Sequence, residues 1–130
     1  MYLDTSVLLA QLFAEDHKPP AELWSERLVS SRLLQYETWV RINSAGLGPS
    51  HGEDATQLLG KISFIELSRP VLTRVLEPFP GPIRTLDAMH LSSLIFLRSN
   101  DISVSLASLD QKMVEAARAL KIPIEARLGV

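Results

Sequence analysis

The sequence predicts a single three-layer α/β domain spanning 1–130 and built on a parallel five-stranded sheet. Three observations carry this. The chain has 130 residues, a length that suits one domain and buries roughly 65–70% of the surface its unfolded form exposes. Short apolar runs rich in β-branched residues alternate with helical patterns, as in a parallel sheet covered on both faces. Pro and Gly clusters at Pro19-Pro20, Gly46-Leu47-Gly48-Pro49 and Pro78-Phe79-Pro80-Gly81-Pro82 mark loops, and no segment between them is able to bury a core alone.

In order, a strand over residues 1–4 leads into a helix over 6–15. A short helix over 20–26 precedes a strand at 28–30, and a long helix follows over 31–46. A helix at 52–60 leads to the strand 62–67, then a helix at 70–77. The helix 85–100 is apolar nearly all round, through Leu86, Met89, Leu91, Leu94, Ile95, Phe96 and Leu97, and should be central. The strand 102–107, the helix 109–120 and a last strand at 122–125 complete the chain.

Composition narrows the function classes. The chain is 46% hydrophobic and 22% charged, ordinary for a soluble protein, and it has no run of about 18 apolar residues to span a membrane. Its opening Met1-Tyr2-Leu3-Asp4 lacks a basic stretch and a long apolar one, so no signal peptide is expected. There is no cysteine. That excludes disulfides, thiolate chemistry and Cys-based zinc sites, and it fits a cytoplasmic location. His17, His51 and His90 show no ligand spacing. With a net charge of −2, any nucleic acid must be held by a local basic patch.

Four acids stand out, each with a plainer explanation beside it. Asp4 ends the first strand, and Asp4-Thr5-Ser6 before a helix also reads as an N-cap, the simpler account of Asp4 taken alone. On helix 31–46, at about 100° per residue, Leu33, Tyr36, Val40, Ser44 and Leu47 share one stripe, and Glu37 falls inside it. A carboxylate on a core-facing stripe is costly unless paired or bound to a cation; an ion pair with Arg41 one turn on is the alternative. Asp87, second in its helix after a Thr85 cap, also suits the helix dipole. Ser108-Leu109-Asp110-Gln111 reads as a capping box in which Ser108 bonds the Gln111 amide, with Asp110 in the first turn. His90 reads as a satisfied core histidine. Ser6 and Ser108 read first as caps and second as groups that orient a metal-bound water.

Together the acids say more. Asp4 and Asp110 both follow the carboxyl ends of strands, where open α/β sheets bind ligands. Carboxylates converging there would form an all-oxygen site suited to Mg²⁺ or Mn²⁺. Such ions generate hydroxide and stabilise a displaced phosphate oxygen.

Four segments carry a resemblance: Tyr2-Leu3-Asp4-Thr5-Ser6-Val7-Leu8-Leu9, Ser30-Ser31-Arg32-Leu33-Leu34-Gln35-Tyr36-Glu37, Ile83-Arg84-Thr85-Leu86-Asp87-Ala88-Met89-His90-Leu91-Ser92-Ser93, and the stretch from Ser108-Leu109-Asp110-Gln111 to Lys121-Ile122-Pro123. In their order and spacing they resemble the PIN-domain family, in particular VapC-type toxins, over nearly the whole chain. The resemblance implies a sheet ordered 3-2-1-4-5 and a divalent-metal endoribonuclease whose catalytic and metal-binding acids are Asp4, Glu37, Asp87 and Asp110. It also implies a homodimer, an RNA substrate such as tRNA or ribosomal RNA, and a cognate antitoxin that inserts a tail into the active-site groove. Ser108 stands where a threonine is common, and the first strand begins at Met1 without a lead-in.

Rival classes fit less well. A haloacid-dehalogenase-like phosphatase needs Asp-x-Asp, and Ser6 holds the second position. A receiver domain wants an Asp after its third strand, and none follows Ile62-Ser63-Phe64-Ile65-Glu66-Leu67. A non-catalytic PIN-like binding module often loses acids that this chain keeps. A PIN nuclease for RNA maturation without an antitoxin stays open.

Overall fold

The computed structural model describes residues 1–14 and 16–130, so the end of the helix expected over 6–15 lies outside the described residues. Strands β1 (Tyr2–Leu3), β2 (Leu28–Ser31), β3 (Ile62–Ile65) and β4 (Leu106–Ala107) form a wholly parallel sheet in the order β3-β2-β1-β4. Helices α1 (Thr5–Phe13), α2 (Arg32–Ser44), α3 (Gly48–Leu59), α4 (Arg69–Val75), α5 (Thr85–Ser99) and α6 (Gln111–Ala119) connect the strands. The short helix expected over 20–26 is a 3-10 turn, Ala21–Ser25, and a second such turn runs Ala126–Leu128.

The sheet has four strands, not five. At the place of the fifth, one bridge joins Ile124 to Leu106 in parallel, with the Leu106 amide on the Pro123 carbonyl and the Glu125 amide on the Leu106 carbonyl, both at 2.8 Å. Pro123 has no N–H to extend a ladder, and the 3-10 turn starts directly after Glu125. The fourth strand is likewise shorter than 102–107, pairing only at Leu106 and Ala107.

Successive strand residues point to opposite faces, and that alternation divides the core. Tyr2 and Leu106 pack with Leu91, Leu94, Met113 and Ala117 of α5 and α6. Leu3 and Ala107 pack with Val7, Leu8, Leu34 and Leu59 of α1, α2 and α3. Three layers result, with α5 burying Ala88, the run from His90 to Leu94, and Leu97.

One expected face is reversed. On α2 the buried row is Leu34, Thr38 and Ile42, while Tyr36 and Val40 are 60% and 64% exposed. The polar letter in the true buried row hid it: Thr38 satisfies its hydroxyl on the Leu34 carbonyl at 2.8 Å and so costs little inside. Glu37 therefore sits at the edge of the buried row, not within a core stripe.

Candidate active site

The four acids reach the carboxyl end of the sheet from four different elements. Asp4 follows β1 and holds the N-cap position of α1, yet its side chain makes no cap bond. Its Oδ2 accepts instead from the hydroxyls of Ser6 at 2.6 Å and Ser108 at 2.8 Å. The two serines are fixed in turn, Ser6 Oγ accepting from the Leu109 amide and Ser108 Oγ from the Asp110 amide. One buried carboxylate oxygen thus staples the β4–α6 connection to the start of α1.

Glu37, in the second turn of α2, accepts on Oε1 from the Thr5 hydroxyl at 2.7 Å and from His90 Nε2 at 2.6 Å. The alternative pairing with Arg41 is not formed; among the described residues Arg41 has no acidic partner, and it lines the same hollow as Glu37.

Asp110 is itself the N-cap of α6, its Oδ1 accepting from the Lys112 and Met113 amides at 3.0 and 3.3 Å. This replaces the expected capping box. Ser108 does not bond the Gln111 amide because its hydroxyl is committed to Asp4. Asp87 is the third helical residue of α5, since Thr85 begins the helix and Arg84 holds the N-cap position without a side-chain cap bond.

Asp4, Glu37, Asp87 and Asp110 line one hollow of about 410 Å³, bordered by Ser6, Val40, Arg41 and Leu86. A second hollow of about 350 Å³ shares Asp87 and Asp110 and adds Arg84 and Lys112. Partial burial raises the pKa of Asp87, and the charges of Asp110, Asp4 and Glu37 raise it further, with His90 acting in the opposite sense. An acid serving only the helix dipole would be held low, whereas burial first and the neighbouring acids second raise Asp87.

His90, Thr5 and Tyr2 belong to the site beyond what the acids alone suggest. His90 is buried as expected of a core histidine, but one of its partners is an acid of the hollow. The spacing held the signal: Asp87 and His90 are three apart on one helix and share a face. Burial alone would lower the pKa of His90, but the bond to Glu37 and the charges of Asp4, Glu37 and Asp87 leave it raised.

Among the described residues, no three acidic or histidine side chains stand close enough to ligate one ion as placed. The donor set nonetheless fits a hard divalent cation. Asp4, Glu37 and Asp110 each give one oxygen to protein donors and keep the other without one among the described residues, and Asp87 keeps both.

The family model described as PIN domain matches residues 1–121. No curated protein and no solved structure is significantly similar to the chain.

Proposed function

The chain belongs to the PIN domain family, and we propose that it is a divalent-metal-dependent endoribonuclease of the VapC type, the toxin of a type II toxin–antitoxin pair. PIN domains are generally nuclease domains. The observation that supports activity in this chain is the single hollow lined by all four carboxylates.

Asp4, Glu37, Asp87 and Asp110 would hold Mg²⁺ or Mn²⁺, which when bound supplies an activated hydroxide and stabilises the departing phosphate oxygen. Ser6 and Ser108 fix Asp4 through one oxygen and leave Oδ1 for the cation. The α6 amides do the same for Asp110, leaving Oδ2. Arg41 on one flank and Arg84 with Lys112 on the other attract the RNA phosphates, and the planar guanidinium suits phosphate oxygens. Purified protein should cut structured RNA with Mg²⁺ or Mn²⁺ and stop in EDTA; undiminished cleavage in excess EDTA sinks the metal-dependent mechanism.

The toxin role is supported by an apolar rim beside the acids. Val40 and Leu86 border the hollow, and Tyr36 stands exposed one turn before Val40. A cognate antitoxin covering this rim would close the groove, and the active form is proposed to be a cytoplasmic homodimer. Among the described residues no helix is long and apolar enough to cross a membrane. Expression alone should arrest growth, and co-expression of the upstream gene should rescue it. Unaffected growth with strong soluble expression of an RNA-cleaving protein overturns the toxin role and leaves the nuclease standing.

A further inference from the structure

We propose that His90, backed by the Tyr2 phenol, is a positioning residue that locks Glu37 through Oε1 and leaves Oε2 as its one oxygen for a cation. The inference rests on the acids being a cation site. Glu37 has the longest side chain of the four acids, with three rotatable bonds, and its side chain is 23% exposed. Left free, it would have to lose that rotamer freedom each time an ion bound. Two donors on the same oxygen, Thr5 Oγ at 2.7 Å and His90 Nε2 at 2.6 Å, remove the freedom beforehand.

The direction of each bond follows from the groups. A carboxylate only accepts, so Nε2 carries the hydrogen. His90 Nδ1 lies 2.8 Å from the Tyr2 hydroxyl, which also accepts from the Ser31 amide at 3.2 Å. Burial raises the Tyr2 pKa, so the phenol keeps its proton. A neutral imidazole accepts that proton on Nδ1 and retains Nε2–H for Glu37; a charged imidazole retains Nε2–H as well. The bond to Glu37 thus survives in both protonation states. The chain of bonds runs from the last residue of β2 through β1 and α5 to the acid on α2, tying Glu37 to the sheet. Satisfaction of a core histidine alone requires no such choice of partner, because any buried carbonyl would serve. Here α5 supplies one acid, Asp87, and one turn later the group that sets another.

The test compares two amides in the same buried place. In His90→Gln the side-chain NH₂ reaches the Nε2 position and still donates to Glu37; in His90→Asn it stops near the Nδ1 position. Binding of Mn²⁺ alone, followed by its EPR signal, should stay near the parent's in the Gln variant and weaken about 10–100-fold in the Asn variant. Thr5→Val removes the other donor with little change of shape and should weaken binding in the same sense, which covers the case of an Asn variant that does not fold. Gln and Asn variants weakened alike, or Asn and Val variants binding as tightly as the parent, overturn the positioning role. A parent that binds no Mn²⁺ overturns it together with the cation site, and so distinguishes the two failures.

Discussion

Asp4 and Glu37 are held by side chains from distant parts of the chain, whereas Asp87 and Asp110 are placed by the first turns of their own helices. Asp4 depends on Ser108, 104 residues away, and Glu37 on His90, 53 residues away. Asp110 is fixed by amides two and three residues on, and Asp87 by its place in α5 alone. One wall of the hollow is thus pinned by tertiary contacts and the other by local geometry. The pinned wall fixes the position of its free oxygens; on the other, Asp87 has no protein donor among the described residues, and burial and the neighbouring acids raise its pKa.

The largest expected effect comes from breaking the pinned wall. Asp4→Asn keeps an oxygen to accept from Ser6 and Ser108 and replaces the other with an amide nitrogen that does not ligate a cation. Cleavage should fall on the order of 10³-fold, the loss expected when several kcal/mol of metal-borne stabilisation is removed, with little change in melting temperature. Asp4→Ala should add a stability loss of about 1–3 kcal/mol, because the buried Ser108 hydroxyl and the half-buried Ser6 hydroxyl lose their acceptor. Parent-like RNA cleavage by the Asn variant would reduce Asp4 to a structural staple.

How much of this was legible follows the same division. The alternation of strands and helices, the parallel sheet and the two core faces follow from local patterning, and the observed helices overlap the expected ones. Locally placed acids are legible as first-turn residues, though the local pattern gives the cap of α6 to Ser108 and the cap is Asp110. That error is tertiary in origin: Ser108 was drawn away by Asp4, which no local pattern records. The α2 face failed for a similar reason, since Thr38 is acceptable inside only once its hydroxyl bonds the Leu34 carbonyl. The fifth strand stops at one bridge because Pro123, visible in the sequence, has no donor to extend the ladder.

A middle-sized effect tests what the flanks add to the local wall. Arg84 and Lys112 border the hollow that shares Asp87 and Asp110, and among the described residues neither has an acidic partner. If both contact phosphates, the double variant Arg84→Ala, Lys112→Ala should weaken RNA binding across sequences. Its slope of log affinity against log salt should shrink by about one per lost contact. An unchanged slope with weakened cleavage would place the RNA elsewhere on the surface while leaving the acids in place.

The smallest effect is on stability and separates the two walls most finely. The carboxyl of Asp87 has its pKa raised above the ordinary 3.8 by burial and by Asp110, Asp4 and Glu37. A carboxyl with a raised folded-state pKa binds its proton more readily folded than unfolded. Stability is therefore lost as pH climbs from about 3.8 through the raised value, and above it the cost is complete. Asp87→Asn removes that cost and keeps the shape, so in EDTA near neutral pH the variant should melt at or above the parent's temperature. Its melting temperature should also vary less with pH across that window. Added Mg²⁺ should raise the parent's melting temperature by mass action and raise the variant's less, while the variant's cleavage falls steeply. An acid that only complemented the dipole of α5 predicts the opposite sign, a loss of about 0.3–1 kcal/mol on the same substitution, with cleavage and Mg²⁺ response intact. Melts of both proteins with and without Mg²⁺, at pH 4 to 8 (a range of about four units around the window set by linkage), therefore decide whether the local wall belongs to the site or only to its helix.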